Sequence, residues 1–145
     1  MGLFDGCLLA SDVDGTLIAS GYLPQKNVEA IKFFINEGGK FSISTGRSAG
    51  AVNQIFRIFD KNLTSYSIVL NGGMIFDFKE GKSVFDMTVS QKVKEFTKYI
   101  ADTDKSVGIE VHSGGEVYVI NPNAETDLHE EYEELNPRFV SFEDV

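Results

Sequence analysis

The segment Leu8–Leu17, with the sequence Leu-Leu-Ala-Ser-Asp-Val-Asp-Gly-Thr-Leu, constrains the fold more than any other stretch of the chain. An apolar run stops at two aspartates that flank one valine, which predicts a buried strand ending in a reactive loop. Residues two apart in extended backbone project to the same side, so Asp12 and Asp14 are expected to face one crevice. Gly15 permits a sharp turn there. Because open α/β sheets bind ligands beyond the carboxyl ends of their strands, the segment predicts a ligand site. A plain surface turn at Asp-Gly would leave the apolar run unexplained.

Composition limits the partners of this chain. Its 145 residues, 42% of them hydrophobic, suffice for one domain or for one domain and part of another. The net charge of −9 argues against nucleic acid and anionic membranes, which require basic surface. The single cysteine, Cys7, is expected to pack inside the first strand, and it precludes an intramolecular disulfide. With no signal peptide or membrane-spanning run predicted, we expect a cytoplasmic protein.

Helical and extended patterns alternate after the acidic segment. The predicted elements are a helix over 24–38, a strand over 40–45, a helix over 48–61 and a strand over 67–70. The helices show apolar residues every three to four positions, and the strands are short apolar runs. Strands and helices that alternate with short links predict a parallel α/β unit with right-handed crossovers.

The pattern changes after Gly73 to extended pairs with intervening helices. We predict a hairpin over 74–78 and 83–87, a helix over 90–101, strands over 107–112 and 117–120, and an acidic helix over 125–135. Ser90 is expected to cap the first of these helices. His129 and the acids over 130–134 are expected on a solvated helix face, and His112 is expected to be structural. The sequence therefore predicts two regions, 1–88 and 89–145.

The residues over 12–17, Asp-Val-Asp-Gly-Thr-Leu, resemble the first motif of the haloacid dehalogenase (HAD) superfamily, most of whose members are magnesium-dependent phosphatases. The resemblance implies that Asp12 is the nucleophile that attacks phosphorus and that Asp14 is the general acid/base. It also implies that the Asp12 carboxylate and the Asp14 carbonyl bind Mg²⁺. A divalent ion makes a carboxylate a competent nucleophile by neutralising the phosphoryl oxygens. Asp14 is expected to stay protonated through partial burial and a neighbouring anion.

Ser44-Thr45-Gly46-Arg47 resembles the second HAD motif, with the Gly-Arg pair that the Cof-like branch usually carries. The resemblance implies that the Thr45 hydroxyl binds a phosphoryl oxygen and that Gly46 and Arg47 belong to the same substrate site. Glycine allows close backbone approach to an anion. Arg47 could instead pair with an acid and hold the loop.

Asn71-Gly72-Gly73 resembles the Asn-Gly element that follows the third strand in Cof-like proteins. Asn71 and Gly72 are therefore candidates for substrate binding. Asn71 could equally bridge the site loops or cap a turn that needs positive φ at glycine, and these alternatives stay open.

The resemblance implies an α/β fold: a partial Rossmann-like, three-layer HAD core with a parallel sheet, followed by part of an α+β cap of the type-two (IIB) kind. It covers the whole chain but only about the first half of a family member. The lysine and the acidic loop that follow the cap in a complete member do not appear before Val145. The chain is thus expected to be truncated, with the strand over 7–12 at an open sheet edge. We expect it to self-associate or to pair with an absent C-terminal half.

For the full-length parent protein, the resemblance implies an Mg²⁺-dependent phosphohydrolase of small phosphorylated metabolites, such as sugar phosphates, acting through an aspartyl phosphate. A phosphotransferase or mutase on the same aspartyl phosphate is the alternative within enzymes. Because the later motifs do not follow, a non-catalytic binding or assembly fragment is the alternative from another class, and activity of the isolated chain stays open. A signalling receiver domain, which also phosphorylates an aspartate, is not favoured because it would lack the Asp-Gly-Thr sequence.

Overall fold

The computed structural model describes residues 1–55, 65–113, 116–133 and 135–144. Contacts divide the chain into two compact units, Met1–Met87 (unit 1) and Thr88–Val145 (unit 2). Within the described part of the chain, no helix has the length and apolar character needed to cross a membrane.

Unit 1 alternates strands and helices before it ends in a hairpin. Its elements are β1 Leu8–Ser11, α1 Gln25–Asn36, β2 Lys40–Ile43, α2 Ala49–Ile55, β3 Ser67–Val69, β4 Met74–Asp77 and β5 Lys82–Asp86. β1 and β2 are parallel, with Leu8 beside Lys40, and β3, β4 and β5 form an antiparallel meander. A parallel bridge between Ser44 and Ile68 connects β2 to β3. The predicted mixed α/β fold with a parallel sheet is confirmed.

The core of unit 1 lies between α1 and the sheet. Val28 and Ile31 of α1 are buried with Phe41 and Ile43 of β2, because the apolar face of the helix repeats every three to four residues. The loop after β1 contributes further buried side chains, which are Val13, Leu17 and Ile18. This packing fixes the loop that carries the two aspartates.

The helix and strand ends follow local chemistry. Pro24 precedes α1, and Gly38 adopts a φ of 90° just beyond the end of the helix, as the predicted boundaries imply. β2 and β3 stop earlier than predicted, because the site turns begin at Ser44 and Leu70. The second half of the helix predicted over 48–61 lies outside the described residues.

β1 is not buried, so the prediction of a buried first strand is wrong. Leu8 is 63% exposed and Leu9 is 42% exposed, and Cys7, predicted to pack inside the strand, is exposed as well. The physical reason is position: among the described residues β1 has only β2 as a neighbour, so its other edge is open. This matches the edge position expected for a chain that resembles half of a family member.

Unit 2 contains α3 Gln91–Thr103, β6 Ile109–Ser113, β7 Glu116–Ile120, α4 Ala124–Glu133 and β8 Arg138–Phe139. Ser90 caps α3 as predicted, since its Oγ accepts a hydrogen bond from the Val93 N–H. β6 and β7 are antiparallel, whereas the short β8, which was not predicted, runs parallel to β7. Val119 and Ala101 lie in the interior of this unit.

The acidic helix α4 is not wholly solvated, which corrects the prediction for the acids over 130–134. Glu133 is only 7% exposed, and its Oε1 lies 3.7 Å from Nε2 of His129. His129 Nδ1 in turn lies 2.8 Å from Glu110 Oε2 on β6. A carboxylate buried this far needs such partners, so these contacts fasten α4 to the sheet.

Candidate active site

The acidic loop is shaped around one buried side chain. Val13 is fully buried between Asp12 and Asp14, so the two acids are directed away from the core. The Ile18 N–H donates to the Val13 carbonyl at 2.8 Å, and the Gly15 N–H donates to the Ile18 carbonyl at 3.0 Å. Gly15 has a φ of 77°, a conformation that side-chain-bearing residues rarely adopt. The sequence prediction of a sharp turn at Gly15 is confirmed.

Arg47 binds the second acid of the loop directly. Its Nε and Nη2 donate to Oδ2 and Oδ1 of Asp14, each at 2.8 Å. The Arg47 side chain is 11% exposed and the Asp14 side chain 37% exposed, so the pair is partly shielded from water. Of the alternatives for Arg47, pairing with an acid is the one that the structure shows. The partner that the structure shows for Asp14 is thus a cation.

Asp12, the candidate nucleophile, is exposed. Its Oδ2 accepts a hydrogen bond of 3.2 Å from the Thr16 hydroxyl, which orients the carboxylate. Thr16 stands in the same motif but carries no role in the sequence prediction. Thr16 follows Asp12 by four residues across the turn at Gly15, and this spacing is the sequence signal that could have predicted their hydrogen bond.

Thr45 lies at the turn after β2 and is 5% exposed. Its Oγ1 accepts a hydrogen bond of 3.2 Å from the backbone N–H of Arg47. A hydroxyl that accepts at its oxygen still has its own proton to donate. Thr45 can therefore act as a neutral donor to an anion.

The third turn is fastened to the second by backbone hydrogen bonds. The Leu70 N–H donates to the Arg47 carbonyl at 3.0 Å, and the Asn71 N–H donates to the Thr45 carbonyl at 3.1 Å. Asn71 itself has a φ of 53°, and Gly72 one of 93°. These backbone bonds join the two turns, and Gly72 has the positive φ that the turn alternative requires, so both structural alternatives for Asn71 stay open. Direct contact of Asn71 or Gly72 with substrate stays a prediction.

Gly46 leaves space for the side chain of Asn71. A Cβ placed on Gly46 would lie 3.0 Å from Oδ1 and 3.3 Å from Nδ2 of Asn71. Any larger residue at this position must displace the asparagine side chain. The three turns at the ends of β1, β2 and β3 thus form one connected set: Arg47 reaches the first turn, and Thr45 and Gly46 contact the third.

The oxygen donors of the first turn suit a hard divalent cation. The Asp12 carboxylate and the Asp14 carbonyl are the type of ligand that Mg²⁺ prefers. Among the described residues, no group of three or more His, Cys, Asp or Glu side chains is placed to hold a metal ion. These residues therefore fit part of a magnesium site, and since Mg²⁺ takes about six ligands, water would complete it.

Comparison with known proteins gives the family. A model of the haloacid dehalogenase-like hydrolase family matches residues 9–144. A curated protein from Buchnera aphidicola subsp. Baizongia pistaciae, described as a candidate phosphatase, is 30% identical over 117 residues, which are 80% of this chain and 43% of that protein.

Solved structures show the same fold over almost the whole chain. The HAD subclass IIB sugar phosphatase BT4131 superposes with a TM-score of 0.80 at 24% identity, over 95% of this chain and 54% of that one. A candidate HAD/COF-like hydrolase from Plasmodium vivax gives a TM-score of 0.74 at 26% identity, over 94% of this chain and 51% of that one. The chain thus spans about half the length of these relatives. It belongs to the haloacid dehalogenase-like hydrolase family.

Proposed function

We propose that this chain carries the phosphoryl-transfer half of an Mg²⁺-dependent phosphohydrolase that acts on small phosphorylated metabolites, sugar phosphates among them. The observation that carries the proposal is the connection between the acidic loop and the Thr45 turn, made by the Arg47–Asp14 ion pair. It brings a nucleophile, a second acid and a neutral donor into one region. The descriptions of the Buchnera relative and of BT4131 support the same reaction class.

Asp12 is assigned the nucleophilic step. A phosphate ester can reach its carboxylate because the residue is exposed. A carboxylate oxygen forms a bond to phosphorus as the bond to the ester oxygen breaks, and the departing oxygen takes a proton from Asp14. Water, deprotonated by Asp14, then releases phosphate and restores the Asp12 carboxylate.

Asp12 and the Asp14 carbonyl would hold Mg²⁺, and Thr45 would bind the phosphoryl group beside it. When bound, the ion supplies neutralising charge to the phosphoryl oxygens. Thr45 donates its hydroxyl proton to one of those oxygens without adding a competing charge. Arg47 positions Asp14 through the two hydrogen bonds described above.

Release of phosphate from an aryl phosphate tests the proposal. We expect Mg²⁺-dependent release that a chelator abolishes and that Asp12→Asn lowers by about 10³-fold or more, because no other group replaces the nucleophile. Asp102→Asn, a surface acid of unit 2, is the matched control and should keep the parent rate. Equal rates for Asp12→Asn and the control would refute the assignment. With a sugar added as acceptor, transfer faster than hydrolysis would instead identify a phosphotransferase.

A non-catalytic binding module is the second candidate, because the described residues do not complete a metal site. Titration calorimetry with Mg²⁺, on the same chain, separates the two. Weak binding without turnover supports the binding module, since only part of the ligand set is present. Sub-millimolar binding together with turnover would exclude it.

A further inference from the structure

The turn after β1 is held in place by contacts that do not use the side chain of Thr16. The Ile18 N–H donates to the Val13 carbonyl at 2.8 Å and closes the turn. On its far side, the Asn27 Nδ2 donates to the Leu17 carbonyl at 2.9 Å. Leu17 and Ile18 are also buried in the core of unit 1. The turn therefore keeps its shape without help from the Thr16 hydroxyl.

The hydroxyl of Thr16 is instead directed at the candidate nucleophile. Its Oγ1 donates to Oδ2 of Asp12 at 3.2 Å, while the backbone N–H of Thr16 donates to the Val13 carbonyl at 3.4 Å. Both side chains are exposed, so water competes for this bond. A β-branched side chain has few χ1 states, so threonine loses little rotamer freedom when it makes the bond. The turn thus brings a stiff donor to the carboxylate of Asp12.

A hydrogen bond to one carboxylate oxygen determines where the other oxygen lies. Rotation of a carboxylate about χ2 is soft, so a free aspartate presents its two oxygens in many directions. Attack on phosphorus requires the reacting atoms to be close and in line with the departing oxygen. We propose that Thr16 is a positioning residue, whose hydroxyl holds one oxygen of Asp12 so that the other oxygen faces phosphorus. This inference rests on the proposed function, since it takes Asp12 as the nucleophile.

Direct contact with the phosphoryl group is the competing role for Thr16. A hydroxyl has one proton to donate, and an ionised carboxylate can only accept, so the bond to Asp12 uses the Thr16 proton. Thr16 would have to break this bond before it could donate to a phosphoryl oxygen. Thr45, whose hydroxyl proton is not needed for its bond to the Arg47 N–H, is better placed to be that donor. The observed contact therefore favours positioning of Asp12.

Two substitutions separate the hydroxyl of Thr16 from the shape of its side chain. Thr16→Val keeps the branched shape and removes the hydroxyl, whereas Thr16→Ser keeps the hydroxyl. With an aryl phosphate, Thr16→Val should lower kcat about 10- to 100-fold with KM unchanged, because positioning of the nucleophile acts on the chemical step. Thr16→Ser should recover most of this loss. Thr103→Val, the same exchange at an exposed position of α3, is the matched control and should keep the parent rate.

NMR provides a measurement that does not depend on turnover. Scalar couplings from the backbone to Cγ of Asp12 report the χ1 rotamer of this side chain. They should show one rotamer in the parent chain and in Thr16→Ser, and an average over several rotamers in Thr16→Val. The urea midpoints of the three proteins should lie close together, because the turn is held by other contacts. Inhibition by inorganic phosphate should be equally strong in all three, because the hydroxyl does not bind the phosphoryl group.

Several results would overturn the positioning role. If Asp12→Asn is inactive but Thr16→Val keeps the parent kcat, Asp12 remains the nucleophile and Thr16 does not position it. Weaker inhibition by phosphate in Thr16→Val would make Thr16 a ligand of the phosphoryl group. A single Asp12 rotamer in Thr16→Val would overturn the role whether or not the chain turns over substrate. A parent rate in Asp12→Asn would refute the proposed function, and the inference with it.

Discussion

Arg47 on the second turn holds Asp14 on the first through two parallel hydrogen bonds of 2.8 Å. The two residues are separated by one helix and one strand in sequence, so this ion pair is a tertiary contact that fastens the ends of β1 and β2 together. Its planar, two-point geometry is one that arginine can make and lysine cannot.

The Arg47–Asp14 pair should contribute measurably to stability. We expect Arg47→Ala to lower the free energy of unfolding by about 1–2 kcal/mol, a range that allows for the partial exposure of Asp14. Arg47→Lys should recover only part of the loss, because a point charge replaces the two-point contact. Urea denaturation of Arg47→Ala, Asp14→Asn and the double variant measures the coupling. Additive losses would show that the pair does not stabilise the fold.

Gly46→Ala should disturb the second and third turns through a steric contact with Asn71. The added methyl group would lie 3.0 Å from the Asn71 Oδ1, so we expect a loss of about 1–3 kcal/mol in the free energy of unfolding. Asn71→Ala removes the obstructing atoms. The double variant should therefore be less destabilised than the sum of the single changes, and strict additivity would contradict the contact.

Ser90→Ala should weaken α3. The Ser90 Oγ accepts from the Val93 N–H at 3.4 Å, and loss of an N-cap acceptor costs about 1 kcal/mol. Helix content and the urea midpoint should both fall. Ser90→Asp, which retains an acceptor at the cap, is the matched control and should stay close to the parent protein.

Unit 2 should lose stability as the pH falls below 6.5. Burial lowers the pKa of His112 from 6.5, and Glu110 and Glu133 offset part of this effect while His129 adds to it. Between the lowered pKa and 6.5, the unfolded chain binds more protons than the folded chain, so acid favours unfolding. The slope cannot exceed about 1.4 kcal/mol per pH unit for one group. NMR titration of the His112 ring should give a pKa below that of the same ring in urea.

His112→Gln isolates this contribution, because glutamine does not titrate. Glu130 acts in the opposite sense: burial raises its pKa, so its contribution to stability is present at low pH and is lost as the pH rises above 4.5 through the raised pKa. The His112→Gln variant should keep the pH dependence of stability that Glu130 causes and should lose the decline in stability below pH 6.5. If the stability of this variant still declined below pH 6.5, a group other than His112 would be responsible.

The sequence alone determined the local elements and the kind of chemistry. Apolar spacing predicted α1 and α3, and the Ser90 cap and the turn at Gly15 followed from residue type. The succession of strands and helices predicted the parallel sheet, because short links leave few ways to connect them. The Asp-x-Asp-Gly-Thr motif by itself pointed to the family.

Only the tertiary structure decided which groups meet and which surfaces stay open. The partner of Asp14 and the approach of Asn71 to Gly46 join residues far apart in sequence, and no local pattern encodes such distances. Glu133 is buried and Leu8 is exposed, whereas the sequence pattern predicted a solvated acidic helix face and a buried first strand, and the reason is the same. Whether a residue is buried depends on which elements pack around it, and apolar or charged character in sequence does not name those neighbours.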